Sequence, residues 1–140
     1  MSENLQLIRS ILAAWERGDF SAVHWADPRI EFAIVDDPGS RVERGVDAMT
    51  RTWREFLSAW ENYRVEARGY HELDEERVLV ALKPQGRGKV SGLEIDAAAG
   101  RGTANVFHVR RGRVTRLDTY FDRHRALADV GLSTRSEPDG

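Results

Sequence analysis

The chain of 140 residues contains no cysteine, which excludes disulfides, thiolate metal ligands and a cysteine nucleophile. Lysine is nearly absent, Lys83 and Lys89 being the only examples. Positive charge is carried by arginine, interleaved with acidic residues so that the formal net charge is −2; without an extended basic stripe, nucleic acid is not expected as a partner. No stretch approaches the ~18 consecutive apolar residues of a membrane span, and Met1-Ser2-Glu3-Asn4 lacks the basic start of a secretory leader. A cytoplasmic location without membrane association is the expectation. The chain also lacks a phosphate-binding loop, a dinucleotide-binding glycine pattern, His-Glu-x-x-His and Gly-x-Ser-x-Gly. Its histidines, His24, His71, His108 and His124, share no short ligand spacing, so neither a metal nor a cofactor is expected.

What is there describes a globular domain. A hydrophobic share of 41% and a charged share of 31% are those of a soluble protein, and the length suits one core. Residues 1–132 read as a single domain, and the polar segment 133–140, with Pro138 and Gly140, as a flexible tail. From Glu3 to Arg17, Leu5, Ile8, Leu12 and Trp15 recur at spacings of three and four, which puts them on one face of a helix ended by Gly18-Asp19. Asp19 is placed to cap a short second helix through Val23. Gly45-Val46-Asp47 opens a stronger helix whose stripe runs Val46, Met49, Trp53, Phe56, Leu57 and Trp60.

Six segments read as strands: Arg29 to Val35, Asn62 to Leu73, Arg77 to Lys83, Lys89 to Ala99, Thr103 to Arg110 and Val114 to Asp122. Turns are expected at Gly86-Arg87-Gly88, at Gly100-Arg101-Gly102 and at Arg110-Arg111-Gly112-Arg113, and a closing helix after Asp122. Helices first and then a run of strands is an α+β pattern, distinct from βαβ alternation. Strand alternation puts Leu117, Thr119 and Phe121 on one face and Arg116, Asp118 and Tyr120 on the other. The same parity groups His71 with Tyr63, Val65, Ala67 and Leu73. It turns Glu94 and Asp96 toward solvent unless a bulge at Ser91-Gly92 shifts Glu94 inward.

The final hairpin, ending in Tyr120-Phe121-Asp122-Arg123, together with the helical front end, resembles the nuclear transport factor 2-like superfamily over roughly Leu5 to Leu132. SnoaL-like polyketide cyclases, ketosteroid isomerases and limonene-epoxide hydrolases are members. The resemblance implies a cone: a strongly curved, mostly antiparallel sheet wrapped around N-terminal helices, hollow at its open end. It also implies a homodimer, for which Val106, His108 and Tyr120 are the expected outer-face residues. Reaction does not follow from fold, because unrelated functions share this scaffold.

Residue by residue, the resemblance implies a partial set of catalytic groups. The Tyr120-Phe121-Asp122 segment matches the epoxide hydrolases, but Thr119 stands where their water-activating aspartate does, and likewise at the acid/base position of the cyclases. Asp36-Asp37-Pro38-Gly39-Ser40 resembles the ketosteroid isomerase base loop, with Asp36 at the base position. Ile11 replaces that family's oxyanion tyrosine and Asn105 its protonated aspartate. The expected catalytic set is therefore Asp36 or His71 as base, an imidazole suiting proton transfer near neutrality, with Asn105 stabilising an oxyanion. The alternatives are a turn carboxylate, a strand-end histidine and a structural amide. Trp15, Phe32, Trp53, Phe56, Trp60, Phe107, Leu117, Thr119 and Phe121 are expected to surround a small, largely apolar ligand. Two functions follow: an isomerase or cyclase working by proton transfer, or a non-enzymatic ligand-binding or adaptor module.

Overall fold

The computed structural model describes residues 2–39, 41–90, 92 and 102–132. Helix α1, Glu3–Glu16, begins where the Ser2 hydroxyl accepts the Leu5 N–H at 3.1 Å, an N-cap that satisfies one of the helix's orphan donors. Ile8, Ile11, Leu12 and Trp15 form its buried face. Helix α2, Val46–Leu57, buries Met49 and packs Val46 and Trp53 against the core between helices and sheet. Six strands follow the order β2-β1-β6-β5-β4-β3 in one open sheet. Their ranges are β1 Ala26–Ile34, β2 Glu43–Arg44, β3 Trp60–Glu72, β4 Arg77–Gly88, β5 Thr103–Arg110 and β6 Arg113–Tyr120. Pairing is antiparallel except for β1 against β6, which brings the first and last strands together in parallel. Helix α3, Arg123–Asp129, closes the described chain, with the Asp122 carboxylate accepting the His124 N–H at 3.0 Å. The α+β expectation therefore holds.

The β5–β6 hairpin turns through Arg111 and Gly112, with φ of 54° and 75°. Two consecutive positive φ values match the right-handed twist of the flanking strands, which is why an Arg-Gly pair serves here. The two faces of the sheet carry separate apolar clusters. Ile8, Leu12, Trp15, Ile30, Phe32, Met49, Val65, Val80, Phe107 and Leu117 pack between helices and sheet. On the opposite face, Leu79, Ala104, Val106 and Tyr120 are covered by Ala126 and Leu127 of α3.

Several local expectations are corrected. Residues 19–23 form no helix, because the Asp19 carboxylate accepts the Ser21 N–H at 3.0 Å and hydroxyl at 2.6 Å, closing a side-chain turn instead. Trp60 opens β3 and does not extend α2. Gly86-Arg87-Gly88 belongs to β4, paired with the start of β3, so the turn comes at Lys89-Val90. Residues 93–99 of the expected Lys89–Ala99 strand, with Glu94 and Asp96, lie outside the described residues, as do Ser91, Gly100-Arg101 of the expected turn and the tail 133–140. A short β2 pairing with β1 was not expected; two residues carry too little pattern to read.

The longest strand, β3, contains two register shifts, between Glu61 and Arg64 and between Ala67 and Gly69. Each inserts an unmatched residue and resets which side chains share a face. Tyr63, Val65 and Ala67 face the helices, and after the second shift Tyr70 does so as well. His71 then pairs with Leu79 and, like Leu73, belongs to the outer side.

Candidate functional site: a neutral aromatic hollow

Between the helices and the inner face of the sheet lies an open cavity of about 420 Å³. Its helical side is made by Trp15 of α1 and by Thr52, Trp53, Phe56 and Leu57 of α2; its sheet side includes Phe32, Ile34, Tyr63, Val65, Leu82, Asn105, Leu117 and Thr119. The rings interlock. Trp53 stands edge-on to Trp15 at 5.5 Å between centroids and edge-on to Phe32 at 6.1 Å, a favoured arrangement for aromatic quadrupoles. Phe56 meets Tyr63 edge-on at 5.1 Å and Trp60 at 6.2 Å. Phe56 and Phe121 are the most exposed of the large apolar wall residues, at 36% and 47%, and mark the mouth.

Eight of the nine residues expected to surround a ligand lie on this wall: Trp15, Phe32, Trp53, Phe56, Trp60, Leu117, Thr119 and Phe121. Phe107 does not. It is fully buried, 5.9 Å from Trp15, and forms the packed layer beneath the wall. Strand alternation also puts Thr103, Asn105 and Phe107 on one face of β5, with Phe107 farthest from the mouth.

The expected acid/base groups are not brought together. Asp36 is absent from the cavity wall; its two carboxylate oxygens accept the Phe121 N–H at 2.9 Å and the Asp122 N–H at 2.8 Å. It ties the end of β1 to the junction between β6 and α3. Two donated backbone hydrogen bonds make this carboxylate a charge-assisted clamp. His71 faces away from the hollow because of the β3 bulge, and its Nε2 is buried without a hydrogen-bond partner among the described residues. The Asp36-Asp37-Pro38-Gly39-Ser40 loop and the alternation through His71 are local patterns; the long-range clamp and the bulge that override them leave no sequence signature.

Asn105 alone of the three reaches the cavity. It is 5% exposed, and its carboxamide makes no hydrogen bond to another described residue. It stands directly across from Thr119 in the β5–β6 register. Elsewhere on the wall, burial pushes the pKa of the Tyr63 hydroxyl up to about 12, so this phenol stays neutral and able to donate. Sequence reading had not singled out Tyr63. Among the described residues, no aspartate, glutamate, histidine, lysine or arginine lines the cavity.

The other side of the sheet carries a chain of ionic contacts. Asp118 accepts from Arg116 Nε at 2.8 Å and lies 3.3 Å from His108 Nε2, while Arg116 also reaches Glu31 at 3.6 Å. Val106 and Tyr120, expected to be available for a second subunit, are buried under α3 within the chain. The Tyr120 hydroxyl donates to Asp129 at 2.9 Å; burial and that carboxylate raise its pKa. The physical reason for this correction is the amphipathic closing helix, which covers its own sheet. Among the described residues, no cluster of three or more acidic or histidine side chains could hold a metal, and no helix is long and apolar enough to cross a membrane.

No protein-family model matches the chain, and no curated protein does. Solved structures match well in shape. An NTF2-like protein of unknown function from Burkholderia pseudomallei is 18% identical over 91% of this chain and 97% of its own, with a TM-score of 0.71. An NTF2-like protein from Burkholderia thailandensis is 20% identical, covering 85% and 90%, at 0.68. A protein with a ketosteroid isomerase-like fold from Catenulispora acidiphila, in complex with trimethylamine, is 14% identical, covering 95% and 98%, at 0.64. Cyclase and isomerase designations occur among the similar structures, and so do de novo designed proteins. Likeness shared with designed chains carries a fold and not a reaction. The chain thus has the nuclear transport factor 2-like fold, an α+β cone with an aromatic hollow.

Proposed function

We propose that this protein binds a small, largely apolar molecule in the hollow and orients it, without supplying a protein carboxylate or imidazole for proton transfer. The single observation that carries this reading is the composition of the wall: an aromatic cavity of about 420 Å³ whose described residues include the unpartnered amide of Asn105 and no ionised side chain. Such a cavity has the size and the mostly apolar character of ligand sites. A general base must come within hydrogen-bond reach of the proton it removes; Asp36 is occupied by two backbone donors and His71 faces the other side. A similar fold, TerC, has been co-crystallized with polyporic acid, which supports a small organic molecule as the kind of occupant.

The test is quenching of tryptophan fluorescence by neutral steroids, aromatic polyketides and terpene epoxides, with mass spectrometry of the recovered compound. Trp15, Trp53 and Trp60 stand on the wall, so an occupant alters their emission. Saturable quenching by a compound recovered unchanged is the expected result. Conversion of the compound that is lost in Asp36→Asn or His71→Gln overturns the reading in favour of an isomerase or cyclase. Silence across the panel overturns it in favour of an adaptor.

A further inference from the structure

The charge, polarity and size of the hollow restrict its occupant further, and this inference rests on the ligand-binding reading above. We propose that the hollow selects a neutral, planar molecule of roughly three six-membered rings whose inner edge carries a hydrogen-bond donor beside an acceptor, met by Asn105 and Thr119.

Size comes first. A dry cavity of about 150 Å³ accommodates one benzene ring, so about 420 Å³ holds roughly three. The helical side offers the rings of Trp53 and Phe56, and the sheet side offers Asn105 and Thr119. An occupant therefore meets aromatic rings on the helical side and, set within a largely apolar sheet side, the polar groups of Asn105 and Thr119. Charge follows from the wall. With no ionised group on it among the described residues, a carboxylate or ammonium that reached Asn105 would lose hydration without gaining a counter-charge.

Polarity narrows the class to paired groups. A carboxamide offers N–H donors and a carbonyl acceptor side by side. Asn105 is 5% exposed and uses neither on another described residue. A ligand bearing only a carbonyl would meet the amide N–H and leave Oδ1 unsatisfied, and an unsatisfied buried acceptor costs binding energy. An edge with adjacent N–H or O–H and C=O groups answers both. The Thr119 hydroxyl, directly across the strand pair from Asn105, can rotate to donate or accept and completes the edge. A lactam, a primary amide or a hydroxy-ketone has this pattern; a hydrocarbon, a simple ether or a carboxylate does not.

Three commercially common three-ring probes differ only at that edge: phenanthridin-6(5H)-one, a lactam; phenanthrene, with no polar group; and phenanthrene-9-carboxylate, ionised at neutral pH. Affinities of the intact chain are read by tryptophan quenching and by calorimetry. The lactam is expected to bind roughly tenfold more tightly than phenanthrene, and the carboxylate more weakly than either. Thr119→Val, nearly isosteric, reduces the lactam preference, and Asn105→Leu removes it while phenanthrene still binds. Circular dichroism and a thermal melt establish that each variant is folded, and Thr119→Val keeps the test decisive if Asn105→Leu is not. Phenanthrene and lactam binding equally, or the carboxylate binding best, overturns the proposed ligand class while leaving a ligand site intact. Failure of all three probes while a steroid, polyketide or epoxide quenches also overturns the proposed class, whereas failure of the three together with that whole panel overturns the ligand-binding reading itself.

Discussion

The two faces of one sheet make opposite use of polar chemistry. Toward the helices, β5 and β6 present Asn105, Leu117 and Thr119 to a cavity free of ionised groups among the described residues. Toward the outside, the same two strands present His108, Arg116 and Asp118 in a chain of ionic contacts that continues to Glu31 and Arg44. Alternation along a strand separates these sets residue by residue. The difference teaches that Asp118, His108 and Asp36 bind other parts of the chain, while the described wall of the space able to admit a ligand carries no ionised side chain. Asp36 is the clearest case: a carboxylate absent from the cavity wall that holds the backbone N–H groups of Phe121 and Asp122.

The contrast can be broken most severely from beneath the wall. Phe107 is fully buried against Trp15, so Phe107→Ala is expected to cost about 3–5 kcal/mol, measured by denaturant unfolding, and to abolish ligand binding by letting the wall collapse. A conservative loss below ~1 kcal/mol would show that Phe107 is not a packed element of the floor.

The clamp gives the next largest effect. Asp36→Ala removes both acceptors for Phe121 and Asp122 and is expected to cost about 2–3 kcal/mol, with ligand affinity falling because Phe121 sits at the mouth. If Asp36 were a free catalytic base, the variant would keep its stability and lose only turnover. Unfolding curves of the two proteins decide between these.

Tyr63 sharpens the claim of neutrality through pH. Its pKa is raised by burial from 10.0 to about 12. An acid whose folded pKa is raised contributes stability that is fully present below the unfolded value and lost as pH climbs through the folded one. Stability is therefore expected to decline between about pH 10 and pH 12, by roughly 2–3 kcal/mol on account of this group. Tyr63→Phe should remove its share of that decline. Equal alkaline sensitivity of the variant and the parent would contradict the buried phenol.

The smallest effect concerns His71. Its buried Nε2 lacks a hydrogen-bond partner among the described residues, and its cross-strand neighbour is Leu79. Replacing an unsatisfied polar group by an apolar one of similar size removes a desolvation cost, so His71→Leu is expected to leave stability unchanged or raise it by about 1 kcal/mol. A loss of ligand binding in this variant would return His71 to the site.

Most of the fold was legible in the sequence because its long elements have clean periods. The stripe Ile8, Leu12, Trp15 and the alternation through Leu117, Thr119 and Phe121 each carry enough repeats to fix a face. The aromatic wall followed from those faces, Phe107 excepted, since alternation gives a side of the strand and not a depth. Parity fails where a residue is inserted, as at Ala67–Gly69 of β3, and one bulge moved His71 to the outer face. Local motifs fail where a distant partner captures a group: Asp36 stands 85 residues before the Phe121 N–H that it holds. Burial of Val106 and Tyr120 under α3 was equally a matter of tertiary packing.

The most direct test of the neutral hollow is the pH dependence of ligand affinity. Phenanthridin-6(5H)-one is titrated by tryptophan quenching from about pH 6 to pH 9, a range in which carboxylates stay ionised and a histidine near its unperturbed value changes charge. With no titrating group on the described wall other than Tyr63, whose pKa is about 12, the account predicts saturable binding with one affinity throughout, retained in His71→Leu. An affinity that rises or falls through that range, and becomes flat when His71 is replaced, would contradict it.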